Sequence, residues 1–247
     1  MGVAVRIFET DPEAKPKPRQ VPDIVGRFRS GRQEGRTPVA LDEWRVTTGD
    51  PEVASAVASL MGGEVEEWDT QGEDNLEVLT DRDSVKVLVD GPGAISSDLK
   101  LWGVGGAIIH HCDGVVFLDE DRNGEPCGCP MLLSERKDFA RSGRGPKPDT
   151  RIVFRLADAP HLGKFRMQSG SWDLVRVLHE YLDALEDACA DGPALCTLAL
   201  ETVSFVPKGG PMKGRTVSYK KPVLKVHGPA PAAAAAAAEE AGDEPPF

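Results

Sequence analysis

A chain of 247 residues with 40% hydrophobic side chains can bury one large core or two small ones, and with only 6% aromatics that core must be mostly aliphatic. The formal net charge of −11 speaks against a protein that coats duplex DNA, because sequence-independent binding needs Lys and Arg to neutralise phosphates. No apolar run approaches the roughly 20 residues that span a bilayer, and the opening MGVAVRIFETDPEAKPKPRQ has neither the apolar centre nor the cleavage site of a secretory signal, so the reading is a cytoplasmic protein without a membrane partner.

In chain order, an apolar patch from Val3 to Phe8 leads into a Pro/Lys-rich stretch, and residues 1–22 read as an N-terminal arm. Arg27, Arg29, Arg32 and Arg36 gather around Phe28 in what reads as a basic loop able to touch phosphates. Asp50 and Pro51 are a natural N-cap and first residue for a helix over EVASAVASLM, which Gly62 and Gly63 stop. From Glu64 to Asp83 nine acids face one base, Arg82, and the alternation at Leu76 and Val78 predicts a solvent-facing strand. VKVLVD at 85–90 predicts another strand, ended by Gly91-Pro92-Gly93. LKLWGVGGAIIHH at 99–111 reads as one strand, Asp113-Gly114 as a hairpin turn and VVFL as the return strand.

After Pro130, MLLSERKDFA predicts a short helix and RSGRGPKPD a loop. TRIVFRLAD and KFRMQSG predict two strands divided by Pro160. Ser171 then caps a long helix on which Leu174, Val177, Leu178, Tyr181, Leu182 and Leu185 share one face; His179 beside them reads as a packed or surface histidine. LCTLALETVSFV and RTVSYKKPVLKV predict a hairpin around PKGGPMKG, with six bases and no acid between Lys208 and Lys225. The tail from Pro229 to Phe247, rich in Ala, Pro and acids, has nothing to bury and reads as disordered. The expected fold is α+β: a mostly antiparallel core, barrel-like or sandwich, within a single domain over 1–228. One long helix packs on it, and a metal-clasped hairpin extension covers 103–130.

The chemistry is concentrated in that extension. Cys112, Cys127 and Cys129 are three of five cysteines, and an odd, clustered set suits a reducing compartment and a metal better than disulfides. Zinc takes four N or S ligands in a tetrahedron, so the fourth is expected from His110 or His111. On a strand His110 shares a face with Cys112 and His111 points away, but the nearby turn keeps both open. A structural zinc is the leading reading, with free thiols and a catalytic zinc as alternatives. Asp119-x-Asp121-x-Asn123-Gly124 copies the first half of a calcium loop, but Pro130 stands where the bidentate Glu belongs, leaving a polar hairpin end.

Residues 51–150 carry 20 acids against 9 bases, which points to a basic protein partner. Arg215, Lys220 and Lys221 with Tyr219, joined by Arg27 and Arg29, are the candidate nucleic-acid contacts. There is no nucleophile elbow, P-loop, zinc-protease helix or complete dinucleotide fingerprint, so no catalytic residue is assigned. Cys189 and Cys196 read as core fillers.

RIFETDPE, DIVGRFRSG, EWRVTTGDPEVA, GGEVEEWDT, the HCDG…CGCP knuckle, FRLAD, LGKF…SGSW and YKKPVLKV, in this order from about residue 5 to 227, resemble one family: recombination directionality factors that partner large serine integrases in actinobacterial temperate phages. The resemblance implies a non-enzymatic regulator in the bacterial host cell. It would bind integrase on attachment-site DNA, activate attL × attR excision and inhibit attP × attB integration, with little specific DNA binding of its own. Many such relatives carry a further cysteine near the position of Pro146, and its absence here favours His110 or His111 as the fourth ligand, or else a weak or lost site. Two other classes stay open: a zinc-containing single-strand-binding protein of phage replication, using the last hairpin and the Arg27–Arg36 stretch, and a metal-dependent hydrolase.

Overall fold

The structure, a computed structural model, describes residues 24–234 except 36, 71, 208, 210–212 and 233. The expected N-terminal arm and nearly all of the expected disordered tail therefore lie outside the described residues.

Among the described residues, eleven strands and three α-helices of nine or more residues make the fold. They run β1 (Ile24–Glu34), β2 (Thr37–Thr48), α1 (Pro51–Met61), β3 (Val65–Glu67), β4 (Leu76–Leu79), β5 (Ser84–Val89), β6 (Ile95–Trp102) and β7 (Ile108–Cys112). Then come α2 (Leu133–Arg141), β8 (Lys147–Leu156), β9 (Lys164–Ser169), α3 (Trp172–Ala188), β10 (Ala194–Phe205) and β11 (Val217–Pro229). The strands form one sheet in the order β11-β10-β5-β8-β9-β1-β2-β4-β3, with β6 also on β8 and β7 on β6. Every pairing is antiparallel except β1 with β9. The α+β reading is therefore right.

The strand β8 is the hub. Its residues Thr150, Ile152, Phe154 and Leu156 are buried while the residues between them are partly exposed, the period of a half-buried strand. One edge pairs with β9; the other carries β6 along 147–152 and β5 at Arg155 and Leu156. The sheet curls until β10 and β11 pack against β1 and β2, enclosing one core. At its centre the Phe28 ring meets Trp44, Phe154 and Phe165 edge-on at 5.7, 5.2 and 5.6 Å, the arrangement that ring quadrupoles favour.

Both convincing helices form as expected. The Asp50 carboxylate accepts the Glu52 and Val53 amides at the start of α1, and Val53, Ala54, Val57 and Met61 face the core. Ser171 accepts the Leu174 amide, and α3 lies against β11 with Leu174 and Leu185 buried. His179 is exposed. Cys196 belongs to the main core, and the partly buried Cys189 packs against it.

Several expectations are corrected. Arg27 and Arg29 lie on a strand, β1, and not in a loop; the inward positions on either side of Arg27 belong to Gly26 and Phe28, which hides the alternation. The stretch 99–111 is not one strand. It breaks at Gly103–Ala107, where Gly105 and Gly106 take φ of 84° and 83° and Gly103 N donates to Ala107 O at 2.7 Å. VVFL is not a return strand but makes only isolated bridges, Cys112 with Phe117 and Val116 with Pro126. The chain also stays in the sheet through Pro229, and the Ala230 amide donates to Pro193 O, so the tail begins slightly later than expected.

Candidate metal centre

The extension grows from the far end of β8. There β6 pairs with Lys147–Ile152, then turns at Gly103–Ala107 and returns as β7, which ends at Cys112. The turn that follows is set by Asp113, whose carboxylate accepts the Val115 and Val116 amides at 2.7 and 2.8 Å; those bonds hold it below the usual carboxylate range. Gly114 has φ 98° and the Arg136 guanidinium sits where a Cβ would go. Backbone bonds from Phe117 N to Glu125 O and from Cys127 N to Val115 O then fold the 115–127 loop back over the hairpin, which brings the Cys127-Gly128-Cys129 knuckle onto Cys112.

The result is a four-residue donor set. His110 Nε2 lies 3.2 Å from Cys112 Sγ and 3.6 Å from Cys129 Sγ, and the two sulfurs are 3.8 Å apart. Cys127 joins them, with all four donor atoms within 4.8 Å of one another. Around a tetrahedral zinc, bonds of about 2.3 Å to sulfur and about 2.05 Å to nitrogen require donor separations of about 3.8 Å for S···S and about 3.6 Å for S···N. The three separations among His110, Cys112 and Cys129 lie within about 0.4 Å of that requirement, and with Cys127 inside the 4.8 Å set the residues could hold such an ion.

The surroundings suit the purpose. Leu99 and Phe117 pack over the buried Cys112 and Cys127, and the Phe117 ring lies 4.8 Å from that of His110. Burial pushes the Cys112 and Cys129 thiols above their ordinary value. Burial, then the nearby Arg122 cation, lowers His110 and keeps its imidazole neutral. Metal ligands must be neutral imidazole and thiolate, so a bound cation would reverse the thiol shifts and agree with that of His110. Arg136 from α2 ties the two loops, donating from Nε to Pro130 O at 2.6 Å and from Nη2 to Gly114 O at 2.8 Å. No spacing rule marks Arg136 in the sequence, since its partners lie 6 and 22 residues away.

Of the five expected ligands, the structure brings together Cys112, Cys127, Cys129 and His110. His111 is corrected: it points the other way, with Nε2 3.0 Å from Asp98 and Nδ1 4.0 Å from Asp119. The strand alternation that separates adjacent residues holds right up to the turn. Asp119, read as part of a half calcium loop, instead accepts from Arg122 at 2.6 Å, and Arg122 stacks over Phe117 at 3.8 Å.

The expected nucleic-acid contacts are more dispersed. Arg27 pairs with Asp74, and Arg29 donates to Thr47 Oγ1 at 3.0 Å. Burial, then the neighbouring Arg45, Arg27 and Arg166, lowers the pKa of Arg29. Lys220 and Lys221 lie on β11, where Lys221 is opposite Glu201 in register, and Arg215 is exposed ahead of that strand. Tyr219, expected to stack a base, donates its hydroxyl to Asp173 at 3.0 Å and meets Phe205 edge-on.

A family model, Gp3-like and described as recombination directionality factor-like, matches residues 25–227. The chain belongs to that family. The match takes in α1, α2 and α3, the candidate metal-ligating cluster and nearly all of the sheet, so a recombination directionality factor-like protein is what this fold embodies as a whole. No solved structure matches the chain. Among the described residues no helix is long and apolar enough to cross a membrane.

Proposed function

We propose that this chain is the directionality factor of a large serine integrase. It binds integrase already seated on attachment-site DNA in the bacterial cytoplasm, activates attL × attR excision and inhibits attP × attB integration. The observation that carries the reading is the family match across 25–227, supported by the ordered motifs quoted above.

The protein needs no active site for this role, because strand exchange belongs to the recombinase. It works by differential binding: contacts made better in one integrase arrangement than in another shift the balance, and about 1.4 kcal/mol of difference changes it tenfold. Cys112, Cys127, Cys129 and His110 would hold a structural zinc; three thiolates and an imidazole would fill its four positions and leave none for a substrate, and the ion would lock the extension in shape.

The test is recombination in vitro with the cognate integrase. Added protein is expected to stimulate attL × attR and suppress attP × attB; no effect on either reaction rejects the reading. Elemental analysis of protein purified without chelator is expected to find about one zinc per chain.

A further inference from the structure

Thirteen large apolar side chains stand exposed among the described residues, and eight of them fall between residues 102 and 132. Trp102, Val104 and Ile109 mark the hairpin tip, and Val115, Met131 and Leu132 flank the metal-ligating knuckle. Single exposed apolar residues are ordinary on any surface, but their concentration on one small element marks an interaction site. These residues do not serve the fold: the extension's own buried cluster is Leu99, Cys112 and Cys127, with Phe117, Cys129 and Trp172 against it.

The element is also held in one shape. The tip is closed by the Gly103–Ala107 bond, and Arg136 holds the Gly114 and Pro130 turns together. A surface ordered before binding loses little conformational entropy on docking. Beside Trp102 a recess of about 290 Å³, lined by Lys100, Leu101, Pro148 and Gly170 among others, offers a seat for an anchoring side chain.

Charge selects the occupant. Asp113, Glu120, Asp121 and Glu125 are exposed along the same element. A second copy of this chain would bring the same acids to a two-fold interface, where like charges repel. An anionic membrane is disfavoured for the same reason. What fits is a protein segment with an apolar centre and a Lys/Arg rim. We infer that the metal-clasped extension, residues 102–132, is the docking surface for such a segment of the integrase. This inference rests on the function proposed above.

The experiment uses the full chain and purified cognate integrase on an attL duplex, reading Kd by interferometry and conversion of attL × attR. Val104 and Met131 are 106% and 90% exposed, so V104S/M131S leaves folding intact; an unchanged thermal midpoint and zinc content verify this. Its Kd is expected to rise about tenfold or more, the loss typical of interface anchors. E120K/D121K is expected to weaken binding and flatten its salt dependence. The control V206S, on the last hairpin, is expected to stay within about twofold. Wild type that binds and stimulates while V104S/M131S does both equally well overturns the docking surface and leaves the proposed function standing. Wild type that neither binds nor stimulates rejects both. A wild-type dimer in sedimentation that V104S/M131S dissolves makes the surface a self-interface and overturns the inference.

Discussion

Around Phe28, three more rings and some twenty aliphatic side chains exclude water together. Around Cys112 only Leu99 and Cys127 are buried with it. Burying one large apolar side chain contributes roughly 1.5–3 kcal/mol, so the first cluster can hold a sheet of eleven strands by size alone, and the second cannot hold even its own loop. The extension substitutes three thiols, one imidazole and the Arg136 clamp for a core. The two regions therefore answer to different perturbations. A surface proposed to grip a partner stands on the region that carries the four-residue donor set able to hold a metal ion.

The widest split between the regions is expected on removing the metal. Structural zinc sites in small domains contribute on the order of 10 kcal/mol to the folding of their own segment. Cys112→Ser, or dialysis against a strong chelator, is expected to abolish zinc in elemental analysis and to admit proteolysis between residues 113 and 128, while the main unfolding transition moves little. His110→Ala is expected to behave likewise, whereas His111→Ala keeps the metal, since His111 faces Asp98. Zinc lost on His111→Ala and kept on His110→Ala would reverse the ligand assignment.

The converse perturbation strikes the core. Phe28 is 1% exposed, and Phe28→Ala removes a ring touching three others, a change that typically costs about 3–5 kcal/mol. Denaturant titration is expected to show that loss in the global transition, with zinc content of the folded protein unchanged. A loss under about 1 kcal/mol would mean that the ring cluster is not the organising centre of the fold.

Much of this division was legible in the sequence, and what was not has a physical reason. The helices could be read because Asp50, Pro51 and Ser171 are local signals and the apolar face of α3 repeats with helical period. The clasp could be read because cysteine is rare and three of them crowd into 18 residues. The strand β1 was obscured: its inward position 26 is a glycine, since a Cβ there would meet the Phe165 ring at 2.9 Å, so the apolar half of the alternation is supplied by a residue 139 positions away. The parallel pairing of β1 with β9 and the Arg136 clamp are likewise tertiary facts with no local trace. The break in 99–111 was readable in principle, because Gly103-Val104-Gly105-Gly106 is a turn composition that the flanking apolar residues outweighed.

The smallest effect is expected at the seam between the regions, where Asp149 of β8 meets Lys100 of β6. Asp149 is 5% exposed and accepts from Lys100 at 2.6 Å, from Arg151 at 2.7 Å and from Gln168. Burial opposes its ionisation, but the bonds from Lys100 and Arg151 outweigh that and hold its pKa below the ordinary value. A carboxylate with a depressed folded pKa stabilises the protein fully above its unfolded pKa of about 4 and loses that contribution as pH falls through the folded value. Asp149→Asn is therefore expected to cost about 1–3 kcal/mol at neutral pH, and the gap to wild type should close below about pH 4, read from denaturant midpoints across a pH series. Lys100 keeps a second partner, Asp98 at 3.5 Å, which limits the loss. Zinc content should not change, because Asp149 is outside the donor set, whose loops Arg136 ties through Pro130 and Gly114. A variant that lost zinc along with stability would show that the seam transmits strain into the clasp, and the two regions would then be one cooperative unit.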